Sequence, residues 1–325
     1  MLSDIVDYEI PNNALWQGRA DTLAGERFFQ HVQCEDIRTY ALDQSKQTVI
    51  IGFCSDEGIR RNEGRLGAKL GPDKLREQLA KLACHNNQTF LDLGNIVCDD
   101  DDLEKSQQQF AKLLGHCHQL SKNTIALGGG HEMAWAHYMG LTRHYPKLGI
   151  INFDAHFDIR PLTDGKFGTS GTPFWQIKQF CQSNGLPFDY CCVGIQPVAN
   201  TNSLFERAHD WHINYITAEQ IHEESFAWQT AFLDDFIVRH DSIYLSICLD
   251  VFAECYAPGV SAPQSLGLSP WKVMPLLKYI VQTGKVVSFD IAELSPPLDH
   301  EHKTSRLAAV IVAELLNLSN GTKNK

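Results

Sequence analysis

Short apolar runs alternate with helical patterns along most of the chain. Seven apolar runs predict buried strands, at residues 48–53, 124–127, 148–153, 188–195, 213–216, 242–251 and 285–293. Apolar residues at helical spacing predict helices at 71–84, 103–123, 218–239, 269–282 and 306–318. Strands that alternate with helices favour a mostly parallel sheet covered by helices on both faces, so we predict an α/β fold.

No internal repeat or low-complexity linker divides the sequence, so we predict a single domain over residues 1–325. Residues 1–45 are polar and irregular, with Trp16, Phe28 and Phe29 as apolar anchors. We predict that this segment is an N-terminal extension that packs on the domain.

Composition narrows the class of protein. Of the 325 residues, 43% are hydrophobic and 21% charged, which is typical of a soluble globular protein. The net charge of −11 argues against nucleic-acid and anionic-membrane surfaces, and no apolar run is long enough to span a bilayer. Ten cysteines without a C-x-x-C motif, and an acidic N-terminus without a signal-peptide pattern, predict reduced thiols and a cytoplasmic location. The sequence leaves a homo-oligomer open.

Two carboxylates and an imidazole follow the apolar run 148–153, as Asp154, His156 and Asp158. Alternate residues of an extended chain point to one side, so these three side chains should converge. Buried carboxylates side by side repel one another unless a cation or a proton lies between them. The pattern therefore predicts a site for a divalent metal such as Mn²⁺, with solvated polar residues at a strand end as the alternative.

Three other predicted strands also end in side chains that can bind a metal. His131 follows three glycines, Cys248 and Asp250 lie two apart, and Glu293 ends the last strand. His131 alone is equally compatible with an ordinary histidine after a glycine turn, and a lone glutamate at the position of Glu293 would usually be a solvated strand end. Because ligands bind at the carboxyl ends of parallel strands, four strands with such endings predict one shared site.

The motifs at these strand ends resemble those of the arginase/agmatinase (ureohydrolase) family. They are G-G-G-H-E (128–132), N-F-D-A-H-F-D (152–158), S-x-C-L-D-V (246–251) with A-P-G-V-S-A-P after it, and D-I-A-E-L-S-P-P (290–297). The likeness runs from Val49 to Ala309 and implies a three-layer α/β/α fold with two Mn²⁺ per subunit. Three more stretches, W-Q-G-R-A-D (16–21), D-E-G-I-R-R-N-E-G-R (56–65) and S-G-T-P-F (170–174), resemble the branch of the family that acts on N-formimidoyl-L-glutamate.

The resemblance implies a ligand set for both ions. His131, Asp154 and Asp158 would hold one Mn²⁺. Asp154 would bridge to the second ion, and His156 and Asp250 would complete that site.

Cys248 departs from the family pattern, which has a second bridging aspartate at the matching position. A thiolate is a softer ligand than a carboxylate and prefers zinc or iron to manganese. Two interpretations stay open, namely that Cys248 is a metal ligand or that it is a buried, packed cysteine. The occupancy of the second metal site stays open with them.

The implied reaction is metal-assisted hydrolysis to L-glutamate and formamide, in which the metal pair would lower the pKa of a shared water. Glu293 would pair with the cationic formimidoyl end of the substrate, and Asp154 and Glu293 are the predicted catalytic residues. The substrate carboxylates suit the fork of an arginine, and Arg160 is the first candidate because it follows the metal motif. Three arginines of the glycine-rich loop are further candidates: Arg60, Arg61 and Arg65.

Ser170 is a second departure, since arginases have a histidine at the matching position. We count Ser170 among the substrate-binding candidates and expect the leaving-group proton to come from water or from another residue. The histidines considered for that role are His137, His144, His300 and His302. Two alternative functions stay open: another ureohydrolase such as an agmatinase or guanidinobutyrase, or a metal-binding relative without hydrolase activity.

Overall fold

The computed structural model describes residues 2, 4–45, 47–85 and 88–318. Its strands are β1 (Tyr8–Glu9), β2 (Val32–Cys34), β3 (Thr48–Cys54), β4 (Phe90–Val97), β5 (Asn123–Gly128), β6 (Leu148–Phe153), β7 (Asp189–Ile195), β8 (Asn214–Thr217), β9 (Ser242–Cys248) and β10 (Val286–Ala292). Its α-helices are α1 (Glu57–Arg61), α2 (Gly71–Leu79), α3 (Leu103–Gln119), α4 (Met133–Thr142), α5 (Pro173–Asn184), α6 (Asn202–Asp210), α7 (Ala218–Glu223), α8 (Phe226–Ile237), α9 (Pro270–Gln282) and α10 (Lys303–Leu318).

The strands in this part of the chain form one sheet in the order β1-β4-β3-β5-β10-β9-β6-β7-β8, with β2 also paired to β4. The short β1 runs antiparallel to β4, and every other pairing is parallel. The predicted mostly parallel α/β sheet is therefore confirmed. The strands β5, β10, β9 and β6 lie side by side, so their carboxyl ends meet at one edge.

Helices cover both faces of the sheet because strand residues alternate between two apolar cores. On β3, Ile50 packs with residues of α2, α9 and α10. Its neighbours Val49 and Ile51 pack on the opposite face, with Phe110 of α3. Further along that face, α4 and α5 cover β6 and β7. The result is the predicted three-layer arrangement.

Strand β4 is absent from our sequence prediction because it carries polar residues in its middle. Asp92 on β4 is fully buried and accepts a bidentate ion pair from Arg76 of α2, with both N–O distances at 2.9 Å. The indole nitrogen of Trp16 donates to the same carboxylate at 2.8 Å. This contact ties the N-terminal segment to the sheet, where β1 and β2 also pair with β4.

The helix prediction differs from the structure in two respects. The predicted helix 218–239 is two helices, because Ser225 caps a new one by accepting from the amide of Trp228 at 3.2 Å. Helices α1, α4, α5 and α6 were not predicted, and α1 lies in the glycine-rich segment that we expected to be a loop. Most residues of α4 are buried, so its sequence lacks the polar face that reveals a surface helix. Within the described residues, no helix is both long and apolar enough to cross a membrane.

Candidate metal centre

Seven side chains from the four neighbouring strands converge at the carboxyl edge of the sheet. They follow β5 (His131), β6 (Asp154, His156 and Asp158), β9 (Cys248 at its end, then Asp250) and β10 (Glu293). The structure therefore brings together all the side chains predicted from the strand endings.

The first group of ligand atoms surrounds His131. Its Nδ1 lies 2.9 Å from Oδ2 of Asp154 and 2.9 Å from Oδ2 of Asp158. The thiol sulfur of Cys248 lies within 4.8 Å of the His131 and Asp154 ligand atoms. These donors face one another closely enough to share one cation.

The second group surrounds His156. Its Nδ1 lies 3.1 Å from Oδ2 of Asp250 and 3.5 Å from Oδ1 of Asp154. Asp154 thus presents Oδ2 to the first group and Oδ1 to the second. This placement suits a carboxylate that bridges two ions. The bridging role itself stays a prediction.

The local backbone differs from the extended chain that we assumed in the sequence analysis. Strand β6 ends at Phe153, and Oδ1 of Asp154 accepts from the amide of His156 at 2.7 Å, which makes a tight turn. Asp250 likewise lies in a 3₁₀ turn, Leu249–Val251, after the end of β9. The side chains converge because the strand ends adjoin one another, and the prediction of alternation along one strand is wrong.

Tight backbone packing surrounds these turns. A Cβ atom at Gly129 would lie 1.8 Å from the carbonyl oxygen of Ser55, so only glycine fits there. Asp158 and Glu293 have positive φ angles of 50° and 73°, which non-glycine residues adopt only where surrounding contacts hold them. For Glu293 one such contact is its amide, which donates to the carbonyl of Gly129 at 2.8 Å.

The charge balance of the site fits a cation. Asp154, Asp250 and Glu293 are buried, and no lysine or arginine of the described chain forms an ion pair with them. Burial raises the pKa of Asp158 to about 6, and the charge of Asp154 adds to the increase. Burial also lowers the pKa of His131, but its hydrogen bonds to Asp154 and Asp158 outweigh this and hold the pKa well above 6.5. Clustered buried carboxylates with imidazoles are a donor set that a divalent metal neutralises.

Burial also raises the pKa values of Glu293 and Cys248. Burial, together with the charges of Asp250 and Glu132, raises the pKa of Glu293 to about 8. Burial and four nearby carboxylates hold the pKa of the Cys248 thiol well above 9.0. Glu293 accepts from the amide of His131 through Oε1 at 3.0 Å, whereas its Oε2 has no protein partner among the described residues.

A cleft of about 120 Å³ opens onto these ligands. Arg160 and Ser170 line it, and Arg160 is the one lysine or arginine among its described lining residues. The guanidinium of Arg160 is exposed and makes no hydrogen bond or ion pair with the described chain. Arg160 also lines an adjoining cavity of about 390 Å³, together with Arg207.

The three arginines of the glycine-rich loop lie elsewhere. Arg60 and Arg61 both form ion pairs with the buried Glu57, at 2.6 Å and 2.7 Å. Arg65 donates to the carbonyl oxygens of Val260 and Ser261, at 2.7 Å and 3.1 Å. None of the three lines the cleft in the described structure, and their substrate-binding role stays an untested prediction.

The sequence analysis missed several lining residues, all of them small or uncharged. The cleft is also lined by Asn62, Gly171, Ala199, Asn200, Leu204, Ser261 and Ala262. Asn62 and Ser261 lie inside motifs quoted above, which was the available signal. No sequence motif pointed to Asn200. Its side-chain amide lies at the site and donates to the carbonyl of Ala155 at 2.9 Å.

Comparison with known proteins agrees with this architecture. The model of the arginase family matches residues 46–317, so the chain belongs to the arginase family. A formimidoylglutamase of Legionella pneumophila (strain Paris) is 60% identical over 317 residues, covering 98% of this chain and 99% of that protein. A formimidoylglutamase of Clostridium tetani (strain Massachusetts / E88) is 42% identical over 326 residues, covering 96% of each chain.

Two solved structures share the fold. Formimidoylglutamase from Bacillus subtilis superposes with a TM-score of 0.80 at 22% identity, covering 93% of this chain and 96% of that one. Formiminoglutamase from Trypanosoma cruzi, solved with Mn²⁺, gives a TM-score of 0.79 at 22% identity, covering 90% and 98%.

Proposed function

We propose that this protein hydrolyses N-formimidoyl-L-glutamate to L-glutamate and formamide with a pair of Mn²⁺ ions. The observation that carries the proposal is the double ligand group around Asp154, which opens into a cleft beside Arg160. Family membership and the formimidoylglutamases that are similar over almost the whole chain support it. Ten cysteines, all free in the structure, suit a reducing compartment, and we place the enzyme in the cytoplasm.

The two ligand groups would bind the metal ions that activate water. His131, Asp154 and Asp158 would hold one ion, and Asp154, His156 and Asp250 would hold the other. When bound, such a pair lowers the pKa of a water molecule and so makes hydroxide available near neutral pH. Addition of that hydroxide to the formimidoyl carbon would break the bond from this carbon to the glutamate nitrogen. The carbon would leave as formamide and the nitrogen as the amine of L-glutamate.

Glu293 and Arg160 orient the substrate from opposite ends. Oε2 of Glu293 is buried and has no partner within the described chain, so it is available to accept from a formimidoyl N–H. The free guanidinium of Arg160 binds a carboxylate through two parallel hydrogen bonds. The adjoining cavity of about 390 Å³ gives room for the rest of the glutamate side chain.

The leaving amine takes its proton from water. The histidines among the described lining residues are His131 and His156, which belong to the ligand groups. The histidines considered as donors in the sequence analysis do not line the cleft: His137, His144, His300 and His302. Ser170 lines it, but its hydroxyl is too weak an acid to replace an imidazole.

A substrate panel tests the proposal. The protein is freed of metal, reloaded with Mn²⁺ and assayed with formimidoylglutamate, agmatine, 4-guanidinobutyrate and arginine. We expect glutamate release from formimidoylglutamate to exceed the turnover of every guanidine compound. Equal or faster turnover of agmatine would contradict the proposal, and so would the absence of any hydrolysis by the fully loaded protein.

Two arginine variants test the assignment of Arg160. Replacing Arg160 with Gln removes a charge-assisted hydrogen bond to the substrate, so kcat/KM should fall by roughly 10- to 100-fold. Arg60→Gln is the matched control, because Arg60 is paired with Glu57 outside the cleft. A larger loss in the Arg60 variant than in the Arg160 variant would show that the loop, and not Arg160, binds the carboxylates.

A further inference from the structure

A chain of buried polar side chains runs behind His131, away from the cleft. Nε2 of His131 lies 2.9 Å from Oγ of Ser246, and Ser246 donates to Oδ1 of Asp290 at 2.7 Å. Oδ2 of Asp290 accepts from Nδ1 of His137 at 2.7 Å and from the hydroxyl of Tyr244. All five side chains are almost completely buried. The chain joins β9, β10 and α4 to the candidate metal centre.

The position of each proton in this series of hydrogen bonds follows from the groups that can only accept. Burial raises the pKa of Asp290, but its hydrogen bonds and the charge of His137 outweigh burial and hold the pKa below 3.8. An ionised carboxylate only accepts, so Ser246, Tyr244 and Nδ1 of His137 must each donate to it. Ser246 has a single proton, and that proton is used. Its oxygen is therefore left to accept from Nε2–H of His131.

This assignment fixes the tautomer of His131. With the proton on Nε2, the lone pair is on Nδ1, the atom that faces Asp154 and Asp158. That is the atom which must be unprotonated to bind a metal. If Ser246 instead donated to His131, the proton would move to Nδ1 and the ligand would be lost.

We propose that His137 and Asp290 form a positioning pair for His131, acting through Ser246, and that they strengthen metal binding at the first ligand group. The inference rests on the proposed metal centre and adds two residues to it. Neither side chain lines the cleft, so neither is a catalytic residue. Hydrogen-bonded partners behind a ligating histidine hold its ring orientation and raise its basicity.

The cost of burying this pair supports a role beyond packing. His137 and Asp290 have no exposed surface and lie in an otherwise tightly packed layer between the sheet and α4. Hydrophobic residues of similar volume often replace a buried ion pair without loss of stability. The presence of a polar pair here therefore points to a role besides packing. Among the described residues, Ser246 is the one that connects this pair to the cleft.

Two substitutions at one position separate positioning from packing. His137→Asn keeps an N–H donor where Nδ1 was and loses the Nε2 contact with Ser288, whereas His137→Gln keeps the far contact and loses the donor to Asp290. Manganese binding to each metal-free protein is measured by calorimetry, without substrate. We expect His137→Gln to weaken one of the two sites by about tenfold and His137→Asn to stay within about twofold of the wild type.

Asp290→Asn provides a second, nearly isosteric variant. Its amide can donate to Ser246, which turns the serine proton toward Nε2 of His131 and favours the wrong tautomer. We expect affinity at one site to fall by about 10- to 100-fold. Thr124→Val is the control, because Thr124 contacts Ser288 on the far side of His137, at 2.6 Å, and should leave manganese binding unchanged.

Each outcome of these titrations bears on the inference. Wild-type affinity in folded His137→Gln and Asp290→Asn proteins would overturn it. Equal losses in the Gln and Asn variants of His137 would also overturn it, since they would indicate a packing role. Failure of the wild-type protein itself to bind manganese would overturn the metal centre of the proposed function, which is a separate result.

Discussion

At the scale of single residues, Asp154 has the most exacting position. It is fully buried, and its two oxygens face two different histidines. A carboxylate that serves two ions attracts both at short distance and so offsets part of the repulsion between them.

We expect Asp154→Asn to lower turnover of formimidoylglutamate by more than about 100-fold and to weaken the binding of both manganese ions. Asp158→Asn is the matched comparison. Asp158 contacts His131 and not His156, so its loss should weaken one ion. Metal content after equilibrium dialysis is the measurement. An Asp154→Asn protein with two tightly bound ions would refute the bridging role.

Cys248 is the residue where this chain departs from its family, and its thiol points at the first ligand group. Deprotonating it is costly, because burial and four carboxylates raise its pKa. We expect Cys248→Asp to lower the manganese concentration that gives half-maximal activity, since a hard ion prefers carboxylate oxygen. Cys248→Ala should raise that concentration or leave it unchanged. Weaker manganese binding in the aspartate variant would mean that the thiol is a favourable ligand.

His118 makes the folding stability depend on pH. It is buried, with Nε2 2.8 Å from the hydroxyl of Thr124 and Nδ1 3.2 Å from that of Tyr145. Burial, with the charges of His137 and His144, lowers its pKa from 6.5 to about 3. The unfolded chain therefore takes up a proton below pH 6.5 that the folded protein refuses, and stability is lost as the pH falls through this range.

We expect this effect to remove roughly 2 kcal/mol of unfolding free energy between pH 7.5 and pH 5, and to be absent in His118→Gln. Denaturant unfolding of the metal-free proteins at both pH values measures it. His209→Gln, on the exposed surface of α6, is the control. An identical pH dependence in the wild type and the His118 variant would contradict the assignment.

At the scale of elements, one buried ion pair joins three segments of the chain. Asp92 of β4 binds Arg76 of α2 and the indole of Trp16, and all three side chains are buried. The contact places α2 against the sheet and fixes the N-terminal segment beside β4.

Replacing Asp92 with Asn should therefore lower the unfolding free energy by about 3–5 kcal/mol, because the buried guanidinium of Arg76 loses its fully buried carboxylate partner and keeps the weaker contact with Asp73. Asp73→Asn is the matched control. Asp73 contacts the same guanidinium at 3.5 Å but is half-exposed, and its loss should cost less than about 1 kcal/mol. Denaturant unfolding measures both values. Equal losses would show that the pair with Asp92 is no stronger than a surface contact.

At the scale of the whole molecule, the predictable features are those that depend on topology. Parallel strands end at one edge whatever their loops do, so the order of apolar runs was enough to group His131, Asp154 and Glu293. Topology does not predict the partners of Arg60 and Arg61. Their guanidinium groups bind Glu57, a neighbour in the same segment, and such local ion pairs do not depend on the order of the strands. Strand β4 was not predicted because Asp92 and Asn95 interrupt its apolar pattern. Both are buried because they accept hydrogen bonds from Arg76, which the sequence does not reveal.

The metal centre should also stabilise the molecule as a whole, because its ligands follow three different strands, β5, β6 and β9, near the middle of the sheet. Without a cation, several buried carboxylates repel one another there. At a manganese concentration 100 times the dissociation constant, each site contributes about 2.7 kcal/mol to folding.

We therefore expect removal of metal to lower the thermal midpoint by roughly 5 °C or more, and addition of manganese to restore it. Differential scanning calorimetry of the chelated and reloaded protein measures the shift. In Asp154→Asn the shift should be much smaller, because both sites are weakened and the repulsion in the metal-free state is already relieved. A wild-type midpoint that does not respond to chelation would show that the ligands are held together by the fold alone.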